Sequence, residues 1–241
     1  MSNVNPYSVT DVGVPAAFAD ESARAGFIRR TYTHLFGAIL ALIGIEAVIF
    51  TVVPQARMMQ LVQSVSPWTW LIALVLFMGI GWLARSWASN GASPAMQYAG
   101  LSLYVVAEAA LLFPLLYVAI TFVDPKTPLM AAAVTLVVFG GLTAFVFITG
   151  ADFSGWGKFL ALGGFAAMGA IFAGILMGFS LGLWFSVAMV ALASGYILYD
   201  TSNVLHHYRT DQHVAASLAL FASVVLLFWY VLRILMAFAE E

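Results

Sequence analysis

The stretch "FLALGGFAAMGAIFAGILMGFSLGLWFSVAMVALASGYILYD", residues 159–200, decides how often this chain crosses a membrane. One helical crossing needs roughly 20 apolar residues, so the run is long enough for two. Only the seam "MGFSLG" at 177–182, with Gly178 and Gly182, offers a tight turn between them. The reading is therefore two helices, Phe159–Phe179 and Ser180–Tyr199. Without that turn there is one crossing fewer, and the C-terminus emerges on the other side. Helix is the default because lipid offers backbone groups no outside partner. The run ends on Tyr199-Asp200-Thr201, and an acid within membrane reach costs free energy unless something pairs it or uses it.

Five further apolar runs flank this pair: Leu35–Val53, Trp68–Ala84, Tyr98–Val123, Pro128–Gly150 and Val214–Ala239. The composition agrees. Of 241 residues, 63% are hydrophobic and only 8% charged, against about a quarter charged in a soluble domain. The expected fold is an all-α membrane protein, a seven-transmembrane-helix bundle over 34–241. A polar, cytoplasmic N-terminal segment, 1–33, precedes it and lacks the apolar core of a cleaved signal peptide. The alternation of a membrane barrel strand is absent, and no internal repeat supports an inverted-repeat transporter. A net charge of -2 does not point to nucleic acid, and the lack of cysteine excludes disulfides and thiolate chemistry.

Linkers are short: Pro54 and Pro67 bracket the first, "SNGASP" (89–94) the second, "DPKTP" (124–128) the third. Six basic residues (Arg24, Arg29, Arg30, Arg85, Lys158, Arg209) fall on the N-terminal side and three (Arg57, Lys126, Arg233) on the other. That bias predicts a cytoplasmic N-terminus and an external C-terminus at Glu240-Glu241. In the fifth run Ala166, Ala170, Gly174 and Gly178 form a stripe of small residues, suited to packing within the bundle or to a dimer contact.

Few ionisable residues lie in the runs or at their margins. They are Glu46 in the first, Glu108 in the third, Asp200 ending the sixth, Arg233 in the seventh, and Arg85 closing the second. Such groups are usually paired or line a polar path. By depth, Glu46 can meet Arg233, and Arg85 can meet Asp200. Glu108 has no partner by depth, so a neutral, proton-bearing carboxyl is the simplest account. His34, His206, His207 and His213 sit at water-facing ends, either solvated or part of a cytoplasmic pH response.

Enzyme readings find no support. Both lysines, Lys126 and Lys158, are loop residues, which argues against a retinal Schiff base. No histidine lies inside a run to serve an intramembrane serine protease, and HExxH and a Gly-rich phosphate loop are missing.

The stretches "GYILYDTSNVL" (195–205), "TGADFSGWGKFL" (149–160) and "FIRRTYTHLFGAIL" (27–40), with "LRIL" at 232–235, resemble the Bax inhibitor-1 family, the transmembrane BAX inhibitor motif proteins. The resemblance runs from Arg24 onward, and a bacterial member of the inner (plasma) membrane is expected. It implies a seven-helix protein that leaks calcium in a pH-dependent way and regulates stress responses and cell survival. In bacterial relatives it also implies association with a membrane-bound protease. It further implies that Asp200 shares protons with a second aspartate in the last span, while an arginine latches the closed state. Here Ser223 stands where that second aspartate is expected and Leu226 where asparagine is common. Arg233 matches, and Arg85 is the candidate latch. Calcium favours six to eight oxygen ligands, so Asp200 with one hydroxyl makes a weak calcium site. No other cofactor is expected; the lipid bilayer is the partner, with oligomeric state left open.

Two functions follow as expectations. One is a passive, pH-gated cation leak centred on Asp200. The other is a non-transporting membrane regulator or partner of another membrane protein such as a protease, in which segment 1–33 matters more than Asp200.

Overall fold

Gly178 and Gly182 both adopt left-handed backbone, φ 73° and 68°. Gly178 closes one helix, the next begins at Gly182, and the seam is a turn. A computed structural model describes residues 13–91 and 93–239. Among them run eight helices: α1 Glu21–Val52, α2 Gln55–Gln63, α3 Pro67–Ala88, α4 Pro94–Val118, α5 Thr127–Thr149, α6 Gly157–Met177, α7 Gly182–His206 and α8 His213–Ala239. All except α2 are long and apolar enough to cross a membrane, which gives seven candidate spans. The protein is an all-α bundle of membrane-spanning type.

Local chemistry sets the helix ends. Ser66 and Ser93 cap α3 and α4, their Oγ atoms accepting the Thr69 and Met96 backbone N–H at 3.1 and 3.3 Å. A proline follows each cap, where its missing N–H costs nothing. Gly150 ends α5 at φ 63°, a backbone that a β-carbon disfavours. Past α4 the chain widens into a π-helical turn at Ala119–Val123, with the Asp124 N–H donating to the Ala119 carbonyl at 3.0 Å.

Two features depart from the sequence reading. The first linker contains α2, whose Met58 is buried against Phe113 and Tyr117 while Arg57 and Gln60 face outward. Nine residues cannot span a membrane, so span-length reasoning passes over such a helix. Helix α1 begins at Glu21, well ahead of its apolar run and inside segment 1–33. Residues 1–12 and Glu240-Glu241 lie outside the described residues.

The bundle is built around α8, which packs against α7, α1, α5, α4 and α3. The buried side chains of α8, such as Leu218, Phe221, Leu227 and Leu232, form the centre of the core. Helices α3, α5 and α6 leave most of their apolar side chains outward, as lipid-facing helices do. A short strap joins the N-terminal segment to the α7–α8 loop. The Ala16 N–H donates to the Tyr208 carbonyl at 2.8 Å, and the Thr210 N–H to the Val14 carbonyl at 3.1 Å. Below, the N-terminal face is the end of the bundle where α1 begins, and the far face is the other.

Candidate functional site

Asp200 sits two turns before the end of α7, at a depth where a carboxylate must find a partner. It finds Ser223 on α8, whose Oγ donates to Asp200 Oδ2 at 2.5 Å, both groups buried. The two residues on which the family resemblance turned are therefore in direct contact. Both line a partly open cavity of about 690 Å³ between α3, α4, α6, α7 and α8.

The N-terminal-face end of this cavity is polar. Arg85 from α3 and Glu108 from α4 line it together with Asp200. The Arg85 guanidinium carbon lies 5.9 Å from the centroid of the Tyr104 ring, a cation–π distance. Its positive charge acts on both Asp200 and Glu108. Tyr104 and Glu108 stand one turn apart on α4, as do Tyr196 and Asp200 on α7, so each acid has a phenol beside it on the cavity wall. The arrangement brings two buried carboxyls, one guanidinium and one serine hydroxyl to one chamber.

Three expectations about charge need correction. Arg85 and Asp200 share the cavity, but no ion pair within 4.0 Å joins them among the described residues. Ser223 occupies Asp200 Oδ2, and the Tyr104 ring holds the guanidinium. Glu108, expected to be alone, has Arg85 and Tyr104 for neighbours. Glu46 and Arg233 do not pair: Arg233 lines the cavity, whereas both Glu46 oxygens are buried on α1 without a hydrogen-bond partner. Arg233 shares with Ser223, Leu226 and Tyr230 the α8 face turned to the cavity, and α1 packs on α8 elsewhere.

The proposed small-residue stripe of α6 also changes meaning. Ala166 is exposed, and of those four residues only Gly174 is buried. Gly164, Ala167 and Gly174 line the cavity, and close helix packing falls on Gly163 and Gly164, where a β-carbon would lie 2.9 Å from Leu192 and 2.8 Å from Tyr196 of α7.

A second cluster closes the N-terminal face. Asp152 Oδ1 accepts from the Ser154 N–H at 2.9 Å and from Ser202 Oγ at 3.0 Å. Ser202 in turn accepts the Phe153 N–H at 2.8 Å, and His207 Nε2 lies 3.3 Å from Asp152 Oδ2. The backbone N–H of Ser154, then its hydroxyl, hold the Asp152 carboxyl well below the usual carboxylate range. The loop "TGADFSG" and the segment after Asp200 are thus bound together. Sequence reasoning passed over Asp152, Ser202, Tyr104 and Tyr196; the four-residue spacing of each tyrosine and its acid was the available signal for the last two. His34 lies by Tyr98 and His213, with ring centroids 5.5 and 5.0 Å away, while the His206 Nε2 is buried without a partner.

For calcium the donor set is thin. Among the described residues no three carboxylate or imidazole groups converge, so Asp200 belongs to a sparse polar chamber rather than to a cation cage.

A seven-span helical bundle with an acid–arginine chamber at one end of a central cavity defines the class. Comparison with known proteins gives the family. Residues 24–240 match the family model described as "Inhibitor of apoptosis-promoting Bax1". The chain is 30% identical to Bax inhibitor 1 of Schizosaccharomyces pombe, covering 92% of this chain and 80% of that protein. It is 26% identical to LIFEGUARD 3 of Arabidopsis thaliana, covering 92% and 89%. It is also 34% identical to an uncharacterized protein of Pseudomonas aeruginosa, covering 43% and 47%. The chain belongs to the Bax inhibitor-1 family.

Proposed function

We propose that this chain is a non-catalytic, pH-gated cation leak of a bacterial inner membrane, N-terminus cytoplasmic, and that its gate is the Asp200–Ser223–Arg85–Glu108 chamber. One observation carries the reading: two buried acids and a guanidinium line the same cavity without forming an ion pair. A fully paired cluster would be a structural pin. An unpaired one can exchange partners.

With both acids ionised, Arg85 is held between two negative charges and blocks the N-terminal-face end of the path. Protons neutralise the carboxyls, the attraction on Arg85 falls, and the side chain is released toward water. The Ser223 hydroxyl serves the ionised Asp200 as a donor and serves the protonated acid as an acceptor, so the contact survives both states. Calcium as cargo would meet at most two carboxylates here, which suits passage better than tight binding. Calcium flux into proteoliposomes between pH 5 and 8, for wild type and Asp200→Asn, tests the proposal. Equal flux for both would overturn it.

The second reading, a regulator or partner of another membrane protein such as a protease, draws support from the strap. Residues 14–16 are bonded to the loop that follows Asp200, so a partner that took up the N-terminal segment would pull on the α7–α8 connection. Removal of residues 1–16 leaving flux intact while abolishing co-purification with a protease would favour it.

A further inference from the structure

The polar chamber accounts for only one end of the cavity. Toward the far face the walls are apolar, with Leu74, Phe77, Ile171, Leu192 and Leu226 facing inward. At the far mouth the Trp70 and Trp229 rings stack with centroids 6.1 Å apart, next to Tyr230 and Arg233. Arg233 has no anionic partner within 4.0 Å among the described residues. Glu46, the acid at comparable depth, is buried on α1 outside the cavity lining. The far part is thus an apolar tube with a cation at its rim, built on Trp and Tyr side chains of the kind found at membrane–water interfaces.

We infer that this part of the cavity binds a free fatty acid, with the carboxylate on Arg233 and the acyl chain directed toward Leu192 and the Asp200 chamber. Charge complementarity selects the headgroup: a guanidinium pairs with a carboxylate in a bidentate fork. The walls select the body, because a peptide would bring backbone amides into a lining with almost nothing to satisfy them. Size selects a single chain. The volume of about 690 Å³ lies in the range of pockets for one drug-sized ligand, which suits a single acyl chain. Ser223 and Arg233 are ten positions apart on α8, so head and chamber are separated by about 15 Å of helix rise. A bound chain fills the same cavity that a cation would cross, so occupancy and flux exclude one another. The site itself does not require that the protein conduct.

The test is photolabelling in phosphatidylcholine nanodiscs with a diazirine-bearing sixteen-carbon fatty acid, the labelled positions read by mass spectrometry. Label is expected on α6 and α8 near Ile171 and Leu226. Arg233→Gln should reduce it at least several-fold, and so should Leu226→Trp, which fills the tube. Labelling near Trp184, an exposed α7 side chain, reports contact from the bulk bilayer and should not change. Unlabelled sixteen-carbon fatty acid should compete, and its methyl ester should compete poorly. Label spread evenly over lipid-facing positions overturns the inference. So does equal labelling of Arg233→Gln, which would leave Arg233 as a residue that only reaches for phospholipid headgroups, and so does equal competition by the methyl ester.

Discussion

Ser223 donates its hydroxyl hydrogen to Asp200 across the α7–α8 interface, a buried contact of 2.5 Å. Removing the hydroxyl leaves a buried carboxylate oxygen without its donor. Ser223→Ala should therefore destabilise the protein by about 1.5–3 kcal/mol, the range for a hydrogen bond to a charged group. Thermal unfolding in detergent at neutral pH measures this. An unchanged midpoint would show that the contact contributes nothing.

Ser223→Asp is the complementary change. Two carboxyls in contact cannot both ionise freely, and their protons then belong to the pair rather than to either residue. Flux against pH should become steeper than in the wild type, and its midpoint should move to higher pH. Superimposable curves would contradict the assignment of Ser223 to the gate.

Arg85 acts on Asp200 and Glu108 from its place over Tyr104. Arg85→Gln keeps a polar hydrogen-bonding side chain, shorter than arginine, and deletes the charge. Under the gate proposal, flux at neutral pH should rise several-fold and its acid dependence should flatten. Tyr104→Leu should give a weaker version of the same change by removing the ring that holds the guanidinium. Loss of flux in both variants would mean that Arg85 helps to form the path instead of closing it.

Much of the fold was legible because lipid imposes simple lengths. Apolar runs gave the seven crossings, and Gly178 with Gly182 gave the one ambiguous turn. The charge partners were not legible, and the reason is geometric. Depth along a helix follows from counting residues, but the direction a side chain faces depends on how the helices rotate against one another. Glu46 and Arg233 agree in depth and still face different neighbours. Glu108 looked solitary because Arg85 comes from the adjacent α3, and its reach to two acids depends on the Tyr104 ring beneath it. Asp152 was passed over because loop polarity is unremarkable until Ser202 and His207 are seen around it.

Asp152 makes a pH-dependent prediction. Its folded carboxyl is held below the ordinary range by the Ser154 N–H and hydroxyl. A depressed folded value stabilises the protein above the unfolded value of about 4, and that contribution is lost as pH falls through the folded value. Asp152→Asn should lower stability at pH 7, and the gap to wild type should narrow only below about pH 4. A gap that stays constant from pH 7 to pH 2 would show that the Asp152 carboxylate charge contributes nothing. The side chain is half exposed, so the effect is expected to be small.

Gly100 offers a test of how tightly the chamber is held. A β-carbon there would lie 2.5 Å from the Ala84 carbonyl oxygen and 2.8 Å from the Ala88 nitrogen, both α3 backbone atoms. Neither can swing away as a side-chain tip would, so Gly100→Ala must push α3 off α4. Overpacking of this kind costs about 1–3 kcal/mol. Gly169 is the control: nothing lies within 4 Å of its β-carbon position, and Gly169→Ala should be neutral or stabilising because alanine favours helix. Ala84 and Arg85 are neighbours in the chain, so displacement of α3 also carries the guanidinium away from Asp200 and Glu108. Gly100→Ala should therefore lower the unfolding midpoint and raise flux at neutral pH, while Gly169→Ala does neither. A midpoint that falls without any change in flux would separate the packing of α3 from the gate and place the barrier elsewhere in the cavity.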